Sequence, residues 1–453
     1  MNTKVKQSTI IHPAKETPTG SLWLSSLDLI TRSPYTHTRL LYVYPSPNQT
    51  NRTNSFFDTN ILKNALSKTL VHFYPMAGRL KRNEKTGRME IDCNSKGVVF
   101  VEVETTHTLA DFGEFKPTNE LRSVVFPSPF DYSKGLSSFP MLMVQLTRFK
   151  CGGVSLGLLH QHQVADGTSC ADLINSWARI AQGLEINVLP FHNRQQILGC
   201  RNPRQVQFRH LEYEQPLPPT RGITAGTVST IIEAQFKLSK EQIIALKLQA
   251  TLQGDTSYRL STFQVLAAHV WRATCKARGL SDDQDVKLYI PVNGRTRLNK
   301  SSEFPKGYYG NVIFFTACVT KCADIKYKPL WYTANLVHTA LKKMDNIEYL
   351  RSAIDYLESH QDLSKFTRGS HTFTCPNFTI NSWVNIPFNK CDFGWGVPKF
   401  FGHGGIQYEG QSYLIRSQNG DGSFSLAIKL FSDHMSLFEK YLYDFPSLLL
   451  TRL

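Results

Sequence analysis

The octapeptide His160-Gln161-His162-Gln163-Val164-Ala165-Asp166-Gly167 gathers two imidazoles, a carboxylate and a glycine into eight residues. Three kinds of chemistry fit that set. As a metal site, His160 and His162 would project from one face of a strand and Asp166 would close the ligand set. No further His, Cys, Asp or Glu cluster nearby completes it. As plain structure, the same residues would be packed polar groups at a turn. As an acid/base site, His162 takes a proton, because an imidazole titrates near neutrality. Asp166, four residues on and ahead of a glycine that permits a tight turn, would hold the loop and the ring in place. The spacing is short enough to arise by chance, so its surroundings must decide.

Those surroundings predict a strand-to-helix corner. The apolar run from Val154 to His160 leaves the Gly152-Gly153 turn as a strand. Residues 168–183 then read as a helix, with Thr168 as N-cap, Leu173, Ile174, Trp177, Ile180 and Ala181 at helical spacing, and Gly183 closing it. Such a corner lifts a side chain out of a rigid sheet into a cleft, where a general base must sit. Two other patterns attract less weight. Gly153-Val154-Ser155-Leu156-Gly157 has the Gly-x-Ser-x-Gly spacing of hydrolases, but that nucleophile needs a sharp turn at the serine, and here the strand runs straight through. Cys318 and Cys322 read as packing residues.

A chain of 453 residues exceeds what one hydrophobic core usually serves. Strands are expected at Val5 to Ile11, Arg39 to Tyr44, Met89 to Cys93, Val98 to Val103 and Met141 to Phe149. A helix capped by Asp58 carries the stripe Ile61, Leu62, Ala65, Leu66 and Leu70. Pro203, Pro216, Pro218 and Pro219 break the pattern and mark a crossover. Beyond it come strands at Thr230 to Phe236, Val286 to Ile290, Asn311 to Thr320 and Thr379 to Ile386. Helices are expected after Ser239, from Ser261 to Ala277, between Leu330 and Leu357, and from Ser432, with a hairpin around Asn419-Gly420-Asp421-Gly422. The halves lack steady β-α-β alternation, so the expected fold class is α+β, with mixed sheets in two similar domains. Their expected limits are 1–195 and 226–453, with a linker over 196–225.

Fifty-one basic against 36 acidic residues leave a formal charge of +15, which suits an anionic partner. The basic residues are dispersed, with no zinc-finger spacing, RNA-binding aromatic signature or long Lys/Arg run. Small anions therefore fit better than nucleic acid. Nine cysteines, an odd number without a CxxC pair, together with an N-terminus lacking an apolar signal core, point to a reducing compartment and a cytoplasmic protein. No stretch approaches the ~18 apolar residues of a membrane span. The sequons at Asn48 and Asn51 have no meaning without secretion, and the final Thr451-Arg452-Leu453 is a poor version of a peroxisomal address.

The run His162 to Gly167 and a second run, Asp392-Phe393-Gly394-Trp395-Gly396, resemble the two signatures of the plant BAHD acyl-CoA-dependent acyltransferases. Phe73 to Leu80, Lys150 to Gly153, Tyr308 to Asn311 and Tyr408 to Gly410 look like the hydroxycinnamoyl-CoA:shikimate/quinate branch, so the resemblance spans nearly the whole chain. It implies a chloramphenicol-acetyltransferase-like pair of domains with a channel between them, acyl-CoA as co-substrate with no permanently bound cofactor or metal, and a monomer. On that pattern His162 removes the acceptor proton, the freed oxygen attacks the thioester carbonyl, and the imidazolium returns a proton to the CoA thiolate.

The resemblance also assigns roles to other residues. Asp166 would be structural, paired with Arg295, and Trp383 would donate its indole N–H to the oxyanion, with a merely packed ring as the alternative. Asp392, Gly394 and Gly396 would form a structural loop. Arg368 would grip an acceptor carboxylate, with His37 and Tyr42 also on the acceptor side. Ser261, Thr262, Lys276 and Arg278 would meet CoA. Two departures bear on the acceptor. Asn381 stands where that branch has Thr, and Arg39-Leu40 stands where it has Pro-Ser. A lost hydroxyl and a gained cation argue for an acid other than shikimate, one with a second carboxylate. The alternatives are an N-acyltransferase, whose cationic amine Arg368 and Arg39 would repel, and an idle CoA-ester-binding relative.

Overall fold

The computed structural model describes residues 3–47, 56–128, 131–220, 230–252, 258–299, 304–417 and 420–445. The sequons, Asn419 and the final tripeptide lie outside them.

Two six-stranded mixed sheets dominate. The first runs in the order Thr3–Ile11, Val98–Thr105, Leu142–Phe149, Val154–Gln161, His37–Tyr44, Phe400–His403. All its pairings are antiparallel except Val98–Thr105 with Leu142–Phe149. The second runs Ile313–Lys321, Asp285–Asn293, Asn377–Ser382, Gln411–Arg416, Phe424–Phe431, Ile231–Leu238, with two parallel pairings at its centre. A small three-stranded sheet joins Ser21–Trp23, Met89–Asp92 and Arg79–Arg82. The Gly167–Ala181 helix packs on Thr59–His72, and the Thr262–Ala277 helix on Leu330–Lys343 and Ser432–Leu442. Apolar side chains of both halves meet in one continuous core.

The sheets do not respect the division into residues 1–195 and 226–453. The strand Phe400–His403 crosses back and adds to the edge of the first sheet, pairing Phe401 with Tyr42 and His403 with Leu40. It is only four residues long with a glycine inside, which gives little strand signal, and its pairing partner comes from the opposite end of the chain. The 196–225 linker is fastened rather than slack over its described part. Arg201 donates to Asp355 at 2.7 Å, and the backbone N–H groups of Arg201 and Gln205 bond the same carboxylate, on the Ile347–Glu358 helix.

The helix after the His162 run begins at Gly167, not after Thr168, because the Asp166 carboxylate is the N-cap, accepting from Ser169 N at 2.9 Å. The strand expected to reach Ile386 stops at Ser382. Ser155 lies fully buried within its strand. Gly157 is there for close approach, since a Cβ would sit 1.9 Å from the Val125 carbonyl oxygen. Cys318 and Cys322 are both buried.

Candidate active site

Val154–Gln161 is buried along its whole length, so the chain must turn sharply to bring His162 out. The turn closes with Val164 N–H donating to Gln161 O at 3.1 Å. Its carbonyls are then held from outside. Asn311 Nδ2 donates to His162 O at 2.8 Å, and Arg194 Nη2 to Val164 O at 2.7 Å. Both donors converge on Asp28, which accepts from Asn311 N and Nδ2 at 2.8 and 2.9 Å and lies 3.3 Å from Arg194. Arg194 and Asp28 have no solvent exposure. A buried ion pair of this kind contributes geometry more than stability.

Asp166 is saturated. Arg295 donates to its two oxygens at 2.6 and 3.0 Å, and Ser169 N and Val312 N at 2.9 and 3.0 Å. Burial alone would raise this carboxyl's pKa, but the Arg295 charge and these donors outweigh it and hold it below the ordinary carboxylate range. Arg295 also reaches Ser169 Oγ and Gly310 O, tying the helix start to the second half of the chain.

His162, half-buried, lines a cavity of about 410 Å³ between the sheets, a size usual for small-molecule sites. His160, Arg368, Asn381, Trp383, Phe263 and Arg32 line it too. A second cavity of about 240 Å³ is lined by His37, Arg39, Tyr132, His403 and Gln407. Arg32, Thr38, Trp383 and Tyr413 belong to both walls, so the two spaces adjoin. Burial first, then the Arg32 cation, lowers the His162 pKa to about 4, against an opposing pull from Asp166. The ring is therefore neutral at physiological pH and able to accept a proton. His160, 5.8 Å from His162 between ring centroids, is held well below its ordinary pKa, chiefly by burial. No group of three or more His, Cys, Asp or Glu suited to a metal occurs among the described residues.

The other sequence candidates divide. Trp383 packs among Phe388, Phe401 and Tyr413 with its ring in both cavity walls. Asn381 donates to Ser412 O at 3.0 Å. Arg368 is buried among Tyr213, Tyr289 and Phe315, with its guanidinium carbon 4.4 Å from the Phe315 ring centre, and donates to Glu212 O at 2.7 Å. His37 lines only the smaller cavity. Its Nε2 lies 3.0 Å from Pro140 O and so donates, leaving Nδ1 to accept from Tyr132 Oη at 2.8 Å. Tyr42 lines neither cavity. It follows Leu40 on the same strand face, one step deeper, and packs in the core against Phe401.

Ser261 caps the Thr262–Ala277 helix at the end adjoining the cavity, where Phe263 enters the wall. Lys276 and Arg278 lie at the other end, about 20 Å along the axis. Arg278 is buried, paired with Glu409 at 2.6 Å and donating to Asn377 O, so the structure commits it to the core rather than to a ligand. Lys276 stacks on Tyr441. The Asp392 carboxylate caps its own loop, accepting from Gly394 N and Gly396 N at 2.7 and 2.9 Å. Both glycines have positive φ, +100° and +98°. Phe393, just before them, packs on Trp177, docking this loop on the first half, outside both cavity walls.

Asp28, Arg194 and Arg32 went unassigned in the sequence. Each acts through a neighbour remote in the chain, and none belongs to a spacing pattern. Asn311 had one signal, its place in the Tyr308 to Asn311 run.

Comparison with solved structures bears on the fold. Vinorine synthase aligns over 99% of this chain and 98% of its own, with TM-score 0.73 and 22% identity. F. sporotrichioides TRI101 complexed with coenzyme A and T-2 aligns over 93% and 97%, with TM-score 0.70 and 19% identity. This chain shares the fold of both. The profile of the Transferase family matches residues 1–445. Anthranilate N-benzoyltransferase protein 2 of Dianthus caryophyllus is 51% identical over 451 residues, 98% of this chain and 100% of that one. Shikimate O-hydroxycinnamoyltransferase of Nicotiana tabacum is 49% identical over 450 residues, again 98% and 100%. This chain belongs to the BAHD Transferase family, and it is an acyltransferase that uses acyl-CoA as co-substrate.

Proposed function

We propose that the protein transfers an aromatic acyl group, hydroxycinnamoyl or benzoyl, from CoA to a small acceptor that carries a carboxylate. One observation carries the acidic acceptor. Arg32, Arg39 and Arg368 all line the cavities, and none is ion-paired with a carboxylate among the described residues. Unpaired guanidinium groups in a partly dry site favour an anionic ligand that binds bidentately.

The hydroxyl acceptor is the first reading. His162 takes the hydroxyl proton, the oxygen attacks the thioester carbonyl, and the Trp383 indole donates to the developing oxyanion. Collapse then expels the CoA thiolate, which recovers the proton from His162. General-base help of this kind contributes ~10²–10⁴-fold. Asp166, engaged by Arg295, holds the corner rather than relaying the proton.

An N-acyl reading also has a specific support, the 51% identity to an anthranilate N-benzoyltransferase. Cations in the cavity disfavour a cationic amine but not an aromatic amino acid such as anthranilate, whose amine is neutral and whose carboxylate is anionic at neutral pH. Anthranilate and shikimate thus share the feature that the cavity favours.

The test is thiol release from p-coumaroyl-CoA and benzoyl-CoA with shikimate, quinate, anthranilate, hydroxy diacids and cationic amines, with products identified as ester or amide. Turnover confined to carboxylate-bearing acceptors is expected. Turnover with cationic amines in preference to acids would overturn the reading.

A further inference from the structure

His162 lines the larger cavity only, which leaves the smaller one, about 240 Å³, without a part in the chemistry. Successive residues of the His37–Tyr44 strand point to opposite faces, so Leu40 enters the wall of the larger cavity and Arg39 that of the smaller. Thr38 lies in both walls, and its Oγ1 is buried without a hydrogen-bond partner. The boundary between the two spaces is therefore polar, one residue from Arg39.

Arg39 is a half-buried cation that its surroundings do not neutralise. Among the charges acting on it, the Arg122 cation outweighs the Glu233 carboxylate. That carboxylate is committed elsewhere, its Oε2 accepting from Arg122 Nη2 at 2.7 Å and from Ile406 N at 2.9 Å. Lys429 adds a further positive charge, donating to Ile406 O at 2.9 Å. Three cations thus share one carboxylate around this cavity. Arg32 is spent on the wall, with Nη1 donating to Gln407 Oε1 at 2.9 Å and Nη2 to Tyr413 Oη at 3.0 Å. The first bond leaves the amide N–H groups of Gln407 as donors in the wall of the smaller cavity. In the larger cavity Arg368 Nε is buried without a partner. Each space therefore has a guanidinium of its own with capacity for an anion.

We infer that the smaller cavity is a second anion subsite, in which Arg39 receives a further carboxylate of the acceptor, so that the favoured acceptor is a hydroxy or amino diacid. This rests on the acidic-acceptor reading above and adds the number of acidic groups and the residue that takes the second. A guanidinium fork binds a carboxylate bidentately, and two cations held at a fixed separation select diacids by the spacing of their charges.

The experiment measures KM for hydroxy diacids of increasing length beside their monoamides, in which the second carboxylate becomes an uncharged group of similar shape, with 2-aminoterephthalate and its 4-carboxamide as the amine pair. The proteins are the wild-type chain, Arg39→Gln, Arg39→Lys and Arg368→Gln. Expected in the wild type is a roughly 10- to 100-fold lower KM for the diacid than for its monoamide at one chain length, the size of a charge-assisted hydrogen bond. Arg39→Gln should abolish that preference, Arg39→Lys, which keeps the charge without the fork, should retain part of it, and Arg368→Gln should raise KM for diacid and monoamide alike. A wild type that favours acids over uncharged acceptors but treats every diacid like its monoamide, or an Arg39→Gln protein that keeps the preference, would overturn the inference and leave the acidic acceptor standing. A wild-type chain indifferent to any carboxylate would overturn both.

Discussion

Arg295 takes both carboxylate oxygens of Asp166, at 2.6 and 3.0 Å, so the aspartate nearest His162 in sequence is bonded to the other half of the molecule. Two further backbone donors complete its shell. The pairing ties the start of the Gly167–Ala181 helix to the segment Asn293 to Arg295, and the position of His162 follows from it. Replacement by Asn leaves the largely enclosed Arg295 guanidinium uncompensated, a loss of up to ~3–5 kcal/mol. Asp166→Asn should unfold at clearly lower denaturant or temperature, with activity falling in parallel. Turnover reduced by roughly three orders of magnitude at unchanged stability, the scale of lost general-base help, would instead put Asp166 in the proton path.

The acid limb of activity follows from the neutral imidazole. With a His162 pKa of about 4, kcat/KM should stay level well below pH 6 and decline only as the ring gains its proton near pH 4. Because the Arg32 cation lowers that pKa, Arg32→Gln should shift the limb to higher pH. The profile is best measured with an uncharged acceptor such as anthranilamide, which adds no carboxyl titration of its own. A wild-type limb near pH 6.5 would contradict the assignment.

Trp383→Phe keeps a ring among Phe388, Phe401 and Tyr413 while removing the indole N–H. If that N–H serves the oxyanion, turnover should fall about 100-fold with little change in KM for acyl-CoA. Turnover within about threefold of wild type, with lowered stability, would show a ring that only packs.

Asp392→Ala tests the loop that docks on Trp177. It removes the acceptor for two glycine N–H groups and should cost about 1–3 kcal/mol, with KM for both substrates unchanged in the protein that remains folded. A selective rise in either KM would give this loop a direct role in binding.

Periodicity made most of the strands and helices legible, because Val154–Gln161 and Gly167–Ala181 bury continuous or helically spaced apolar faces. It failed where pairing is remote. Phe400–His403 becomes a strand only by adding to the His37–Tyr44 edge, and Tyr42 shares a face with Leu40 yet ends in the core. The base was readable because its residues are contiguous. The groups that hold it, Asp28, Arg194 and Asn311, were not, since a buried hydrogen-bond network leaves no spacing in the sequence. Arg278 shows the converse: a basic residue at a helix end invites a phosphate, and here Glu409 occupies it.

Everything proposed for this site depends on His162 as the base, and the most direct test is the rate of thiol release by His162→Ala, with folding checked by thermal denaturation. The expected result is a loss of about 10²- to 10⁴-fold at near wild-type stability, with KM for acyl-CoA little changed. A folded His162→Ala protein that keeps wild-type turnover with its best acidic acceptor would contradict the account.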